Sequence, residues 1–168
     1  MDGFFDGLEQ SIKSRNWNAA LVMALTLPDI CATVVAPTGK VGRRYAAWFD
    51  EHLKPTYTSV VNGQQHVFLS GKDCYVLRCA LLHEGSADVA TQPARDVLDR
   101  FQFCAPGTRR NSWHRNQVDT TLILMVDEFA TDVLHAARSW WATLPDEKRA
   151  AAKQRQLTII DSDLITGI

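Results

Sequence analysis

The sequence predicts a mainly α fold, a helical bundle with one small β-hairpin inserted before its last long helix. Apolar residues recur at three- and four-residue spacing through most of the first 85 positions and again beyond position 126. Alternating and β-branched runs are confined to the stretch between. The composition, 46% hydrophobic and 22% charged over 168 residues, is that of an ordinary globular protein. A chain of this length buries roughly 70% of the surface it exposes when unfolded, so one domain over residues 1–168 holds together without metal or disulfide.

Phe4, Phe5, Leu8 and Ile12 set a helical period that predicts a first helix over about residues 3–15. The run "NWNAALVMALTLPDICATVVAP" predicts a second over about 17–36, with Asn16 or Asn18 as N-cap and Pro28 as a kink or break. Tyr45, Trp48, Phe49 and Leu53 share one face of a third, over about 42–54, stopped by Pro55. "TSVVNGQQHVFLSGKD" is ambiguous: "NGQQ" reads as a turn, and "HVFLS" as a short strand or a helix start. Ser70 or Asp73 caps a fourth helix over about 72–85, and Gly85 suits a left-handed end. "VLDRFQFCAP" and "NQVDTTLILMV", on either side of the polar "GTRRNSWHR", read as a β-hairpin over about 97–125. Phe129, Val133 or Leu134, Ala137 and Trp140/Trp141 return to helical spacing over about 127–144, where Pro145 ends the element. The charged "DEKRAAAKQRQ" predicts a short solvated helix, followed by "LTIIDSDLITGI" as a docked strand or a tail.

A net charge of −1 excludes nucleic-acid binding through bulk positive charge and leaves only a local basic patch for that purpose. Cys31, Cys74, Cys79 and Cys104 form no CxxC pair, and no Cys/His group has zinc-ligand spacing, so neither metal nor cofactor is expected. Buried free thiols suit a reducing compartment. The acidic "MDGFFDGLEQ" has no signal-peptide pattern, and Pro28 and Asp29 interrupt the most apolar run, so the expectation is a cytoplasmic protein without a membrane partner.

The fourth helix carries the most informative polar residues. In "CYVLRCALLHEG", Arg78 and His83 end an otherwise apolar run, and an ionised Arg on such a helix needs a partner or a cleft. Five residues turn a helix by about 140°, so the two side chains flank a face. One reading is structural: Arg78 pairs with Asp73, Glu84 or Asp88, and His83 sits at the negative end of its own helix. The other is functional. "LRCALLHEG" resembles the Arg-x4-6-His motif of the HEPN superfamily, helical-bundle proteins many of which are metal-independent endoribonucleases of toxin–antitoxin and phage-defence systems. The resemblance covers residues 77–85 in motif and about the first half of the chain in pattern. It implies a homodimer in which two Arg78/His83 pairs face one groove, with RNA as substrate and an antitoxin or defence-system protein as a possible partner. It implies that His83 is the acid/base for the ribose 2′-OH or the leaving 5′-oxygen and that Arg78 clamps the phosphoryl oxygens. Glu84 either orients the imidazole or stands in solvent. The products would be a 2′,3′-cyclic phosphate and a 5′-OH. Active members commonly carry a small polar residue after the Arg, where this chain has Cys79; that departure favours the alternative, a non-catalytic HEPN-like dimeric binding or scaffold domain.

Two further basic groups are candidate RNA contacts. Lys40, Arg43 and Arg44 cluster at the start of the third helix without Walker spacing, and a solvated helix start is the competing reading. Arg109, Arg110 and Trp113 place bases beside an aromatic ring in the hairpin loop, a pattern that stacks and holds single strands or simply keeps a loop soluble. Arg109 and His114 repeat the motif spacing in that loop, where nothing predicted fixes the two side chains. His52, His66 and His135 have no partner pattern.

Overall fold

The computed structural model describes residues 1–108, 113–157, 159 and 162. The fold is mainly α, built from α1 (Asp2–Lys13), α2 (Trp17–Val35), α3 (Val41–His52), α4 (Gly71–Glu84), α5 (Val126–Thr143) and α6 (Asp146–Arg155). The first five begin and end within two residues of the bounds that periodicity predicts. Two small sheets complete it, from β1 (Thr58–Val61) and β2 (Gln64–Val67), and from β3 (Arg100–Cys104), β4 (Asn116–Val118) and β5 (Thr121–Met125).

The central element is α2. By length and composition it is apolar enough to cross a membrane, but it packs against α1, α3, α4, α5 and α6 and buries Ala24, Leu25, Leu27, Pro28 and Cys31 among them. It is the core helix of the bundle. Asn16 caps it by accepting a hydrogen bond from the Ala19 N–H. The expected break at Pro28 does not occur, and α2 runs on to Val35. Proline removes the N–H that would serve the Ala24 carbonyl. One residue along, the buried Tyr45 hydroxyl donates to the Leu25 carbonyl at 3.0 Å and so supplies polar contact at the weakened turn.

The start of α4 is fixed by a reciprocal cap. Ser70 Oγ accepts from the Asp73 N–H and donates to Asp73 Oδ2. Asp73 is 2% exposed, and its Oδ1 also accepts from the Asp96 N–H at 2.7 Å. That bond pins the connection leaving α4 back onto the helix start. Gly85 ends the helix at φ +64°, as its placement predicts.

The strand expectations need correction. The stretch 97–125 is not one hairpin: β3 and β5 are parallel neighbours, with Phe101 opposite Leu122 and Phe103 opposite Leu124. The chain reverses in β4, which forms a short antiparallel hairpin with β5 and leaves β5 central in the order β3-β5-β4. Alternation sets which face of a strand is buried but does not set which strand it meets. A second hairpin, β1–β2, forms in the ambiguous segment. Its two-residue Asn62-Gly63 turn has both φ positive, at 51° and 77°, the geometry whose twist matches antiparallel strands.

Between α1 and α5, Arg138 donates to Glu9 Oε2 at 2.7 Å, and Lys13 also reaches Glu9. The hydrogen bond from Arg138, then that from Lys13, hold the Glu9 carboxyl down at about 2. A carboxyl with a lowered folded-state pKa stabilises the fold above its ordinary range and loses that contribution as pH falls toward 2. A carbon-detected NMR titration of Glu9 should therefore give a midpoint near 2, returning toward the ordinary carboxylate range in Arg138→Ala. A second expectation concerns Gly71, where an added Cβ would lie 2.3 Å from the Ala46 carbonyl oxygen and 2.7 Å from its Cα. Both are backbone atoms of α3 and cannot swing aside, so Gly71→Ala should cost about 1–3 kcal/mol, measured by urea unfolding.

Candidate functional site

The motif helix α4 lies against α2 and α3, and the structure gives Arg78 a partner that sequence reasoning did not name. It is Asp29 of α2, not Asp73, Glu84 or Asp88: Arg78 Nη2 stands 3.5 Å from Asp29 Oδ2. Arg44 of α3 reaches the other oxygen, Oδ1, at 3.3 Å. The three side chains are largely covered, with Arg78 20% exposed and Arg44 and Asp29 each 17%. One carboxylate therefore serves two guanidiniums and leaves one unit of positive charge uncompensated within the trio. The Nε atoms of both arginines are buried and have no hydrogen-bond partner among the described residues.

His83 and Glu84 stand differently. Both are exposed in the last turn of α4, and His83 has neither hydrogen bond nor ion pair among the described residues. Cys79 is half-buried and hydrogen-bonds with Tyr75, one turn before it on the same helix. Burial, followed by that contact, pushes the Tyr75 phenol up. The fully buried Cys74 lies 3.3 Å from the Tyr45 hydroxyl, and burial pushes its thiol up to about 12. The Cys74 environment does not generate a reactive thiolate.

The basic cluster at the start of α3 divides. Lys40 and Arg43 are exposed, whereas Arg44 turns inward to Asp29 and is a bundle contact before it is a surface charge. A helix start projects successive residues about 100° apart, so neighbours in sequence part company in space. Trp113 is 50% exposed, in keeping with a loop aromatic, and Arg109 and Arg110 lie outside the described residues.

A second constellation escaped the sequence reading. Asp132 of α5 accepts from the Tyr57 hydroxyl at 3.0 Å, and His114 Nε2 lies 3.4 Å from the same carboxylate oxygen, Oδ2. The His114 side chain is 3% exposed, and its Nδ1 accepts from the Met125 N–H at 3.2 Å. With Nδ1 accepting that bond, Nε2 is the ring nitrogen that faces Asp132. Burial, then the Asp132 charge, push the Tyr57 phenol well above its ordinary range, so it stays a donor. The carboxylate borders a cleft of about 500 Å³ shared with His52, His135 and Ser139. Burial lowers the His52 pKa. Residues 57, 114 and 132 come from three distant segments, and no spacing rule joins them. Among the described residues no three His, Cys, Asp or Glu side chains converge to hold a metal ion.

Comparison with protein-family models, curated proteins and solved structures gives no match to this chain.

Removing the shared carboxylate leaves two guanidiniums with excess charge and no counterion. Asp29→Ala should cost about 2–4 kcal/mol, somewhat less than for a fully buried pair because the site keeps some solvent contact. Adding Arg78→Met should recover part of that loss, as read by denaturant midpoints of the single and double variants.

Proposed function

We propose that the protein acts on RNA as a metal-independent endoribonuclease of the HEPN type, working as a cytoplasmic homodimer in a defence or toxin-type role. The observation that carries this reading is the presence on one helix of an exposed His83, without a partner among the described residues, and an Arg78 held in place by an ion pair. An imidazole open to solvent can exchange a proton with a ribose hydroxyl or a leaving oxygen. A guanidinium held by its neighbour is preorganised toward a phosphoryl oxygen, and its share of uncompensated charge favours an anion there. In this mechanism His83 takes the 2′-OH proton as that oxygen attacks phosphorus. A second imidazole, from the other protomer, protonates the departing 5′-oxygen. The strand then ends in a 2′,3′-cyclic phosphate and a 5′-OH, so atoms and charge balance with no external water in this step. Glu84 neighbours His83 in the last turn, and on this reading Lys40, Arg43, Arg109, Arg110 and Trp113 are the further RNA contacts.

A second reading is favoured by a specific contact. Arg78 already shares a carboxylate with Arg44, and Cys79 stands where active HEPN proteins commonly have a small polar residue. A domain of this kind binds RNA or a protein partner through the same dimer face without cutting. The two readings separate in one experiment: incubate a mixed RNA pool with the chain in EDTA and map the new termini. Cyclic-phosphate ends that disappear in both His83→Ala and Arg78→Ala are the expected result, with k falling about a hundredfold or more for loss of an acid/base group. RNA retention without new ends would select the binding reading.

A further inference from the structure

A groove of about 380 Å³, lined in part by Asp29, opens between α2 and α6. We infer that this groove binds a nucleoside monophosphate, either free or as one unit of an RNA strand. Its volume falls in the range of small-molecule sites, about 300–1,000 Å³. Phe4, Ile30, Val34 and Leu157 supply apolar wall, suited to the faces of a flat ring. Charge decides the other end of the ligand: Lys148 and Arg155 line the groove, and the one carboxylate that lines it among the described residues, Asp29, is already shared by Arg44 and Arg78. The local balance is positive in a chain whose net charge is −1.

The polar lining separates a nucleotide from an acyl anion of similar size. Gln156 lines the groove, and its Nε2 is buried without a hydrogen-bond partner among the described residues. A buried donor left unpaired is costly, and a turn of the Gln156 amide toward the groove would let a ring carbonyl or ring nitrogen satisfy it. Asp29 offers acceptor capacity to an exocyclic amino group, and the Thr33 hydroxyl, which donates to the Asp29 carbonyl at 2.8 Å, retains lone pairs for a ligand N–H. A hydrocarbon chain would leave the Gln156 Nε2 donor unpaired and use none of the remaining acceptor capacity of Asp29 and Thr33. The phosphate falls to Lys148 and Arg155, which are exposed at the rim.

This inference does not depend on cleavage, because the groove stands on its own lining. Isothermal titration of the full chain with AMP, GMP, CMP and UMP, a trinucleotide, inorganic phosphate and decanoate tests it. The expected result is saturable binding of at least one mononucleotide, weakened about tenfold or more in Lys148→Ala/Arg155→Ala and in Ala151→Trp, which fills the groove. Both variants lie on a solvated helix, and circular dichroism establishes that they remain folded. Unchanged affinity in His83→Ala would separate the groove from the α4 site. Tighter uptake of the trinucleotide than of its mononucleotide identifies the ligand as part of a strand, and equal uptake a free nucleotide. No saturation by any nucleotide at millimolar concentration, equal binding in the two groove variants, or selective uptake of decanoate overturns the assignment.

Discussion

The arrangement of the bundle depends on one carboxylate. Asp29 is the sole Asp, Glu, Lys or Arg in α2, a helix otherwise apolar enough to slide against its neighbours with little change in buried area. Apolar burial is non-directional, so it draws helices together without choosing their register. The Asp29 carboxylate chooses it: Oδ1 fixes Arg44 and with it α3, Oδ2 fixes Arg78 and with it α4. Desolvating three charges offsets much of their mutual attraction, so the gain lies in specificity more than in net stability. A slip of one helical turn would leave ionised groups buried without counterions, and that penalty excludes the alternative packings.

The same carboxylate connects fold to chemistry. Arg78 reads in sequence as a residue needing either a partner or a cleft, and it has the partner while retaining a share of uncompensated charge. His83, five residues on, belongs to a different environment because α4 ends there and its last turn leaves the bundle. One helix thus carries a fixed cation and an exposed imidazole, and the groove between α2 and α6 is lined by Asp29 itself. Charge in the groove and charge at Arg78 are therefore linked through the residue that orders the core.

The legible parts of the fold were the local ones. Helical period, the caps at Asn16 and Ser70, the Asn62-Gly63 turn and the left-handed Gly85 each depend on a few neighbouring residues, and each reads directly from them. Long-range pairing did not read. The alternation in β3 and β5 marks strands whether they run parallel or antiparallel, so the reversal hidden in β4 was invisible. Asp29 looked like an interruption of an apolar run, and the search for an Arg78 partner stayed within ten residues, whereas the ion pair spans 49 positions, from 29 to 78. The Tyr57–Asp132 hydrogen bond spans still more, 75 positions.

Two constellations contain an accessible or buried histidine, and accessibility decides between them as sites of chemistry. His114 has one ring nitrogen committed to the Met125 N–H at the junction of β5 and α5 and the other directed at Asp132. With a side chain only 3% exposed, the ring is largely enclosed by these contacts, although it also borders a cleft shared with His66 and Gln117. Its contacts join the loop before β4 to α5, while Tyr57 ties the segment before β1 to the same carboxylate. That network orients two elements whose own short strands could not hold them, since hairpins of three or four residues are marginal alone. His83 has the opposite character: it is exposed, and no hydrogen bond or ion pair among the described residues holds its ring, so a ligand can approach it at the end of α4. A general acid or base must reach the atom it serves. By that criterion the buried histidine belongs to the scaffold, and the exposed one is where proton transfer has room to occur.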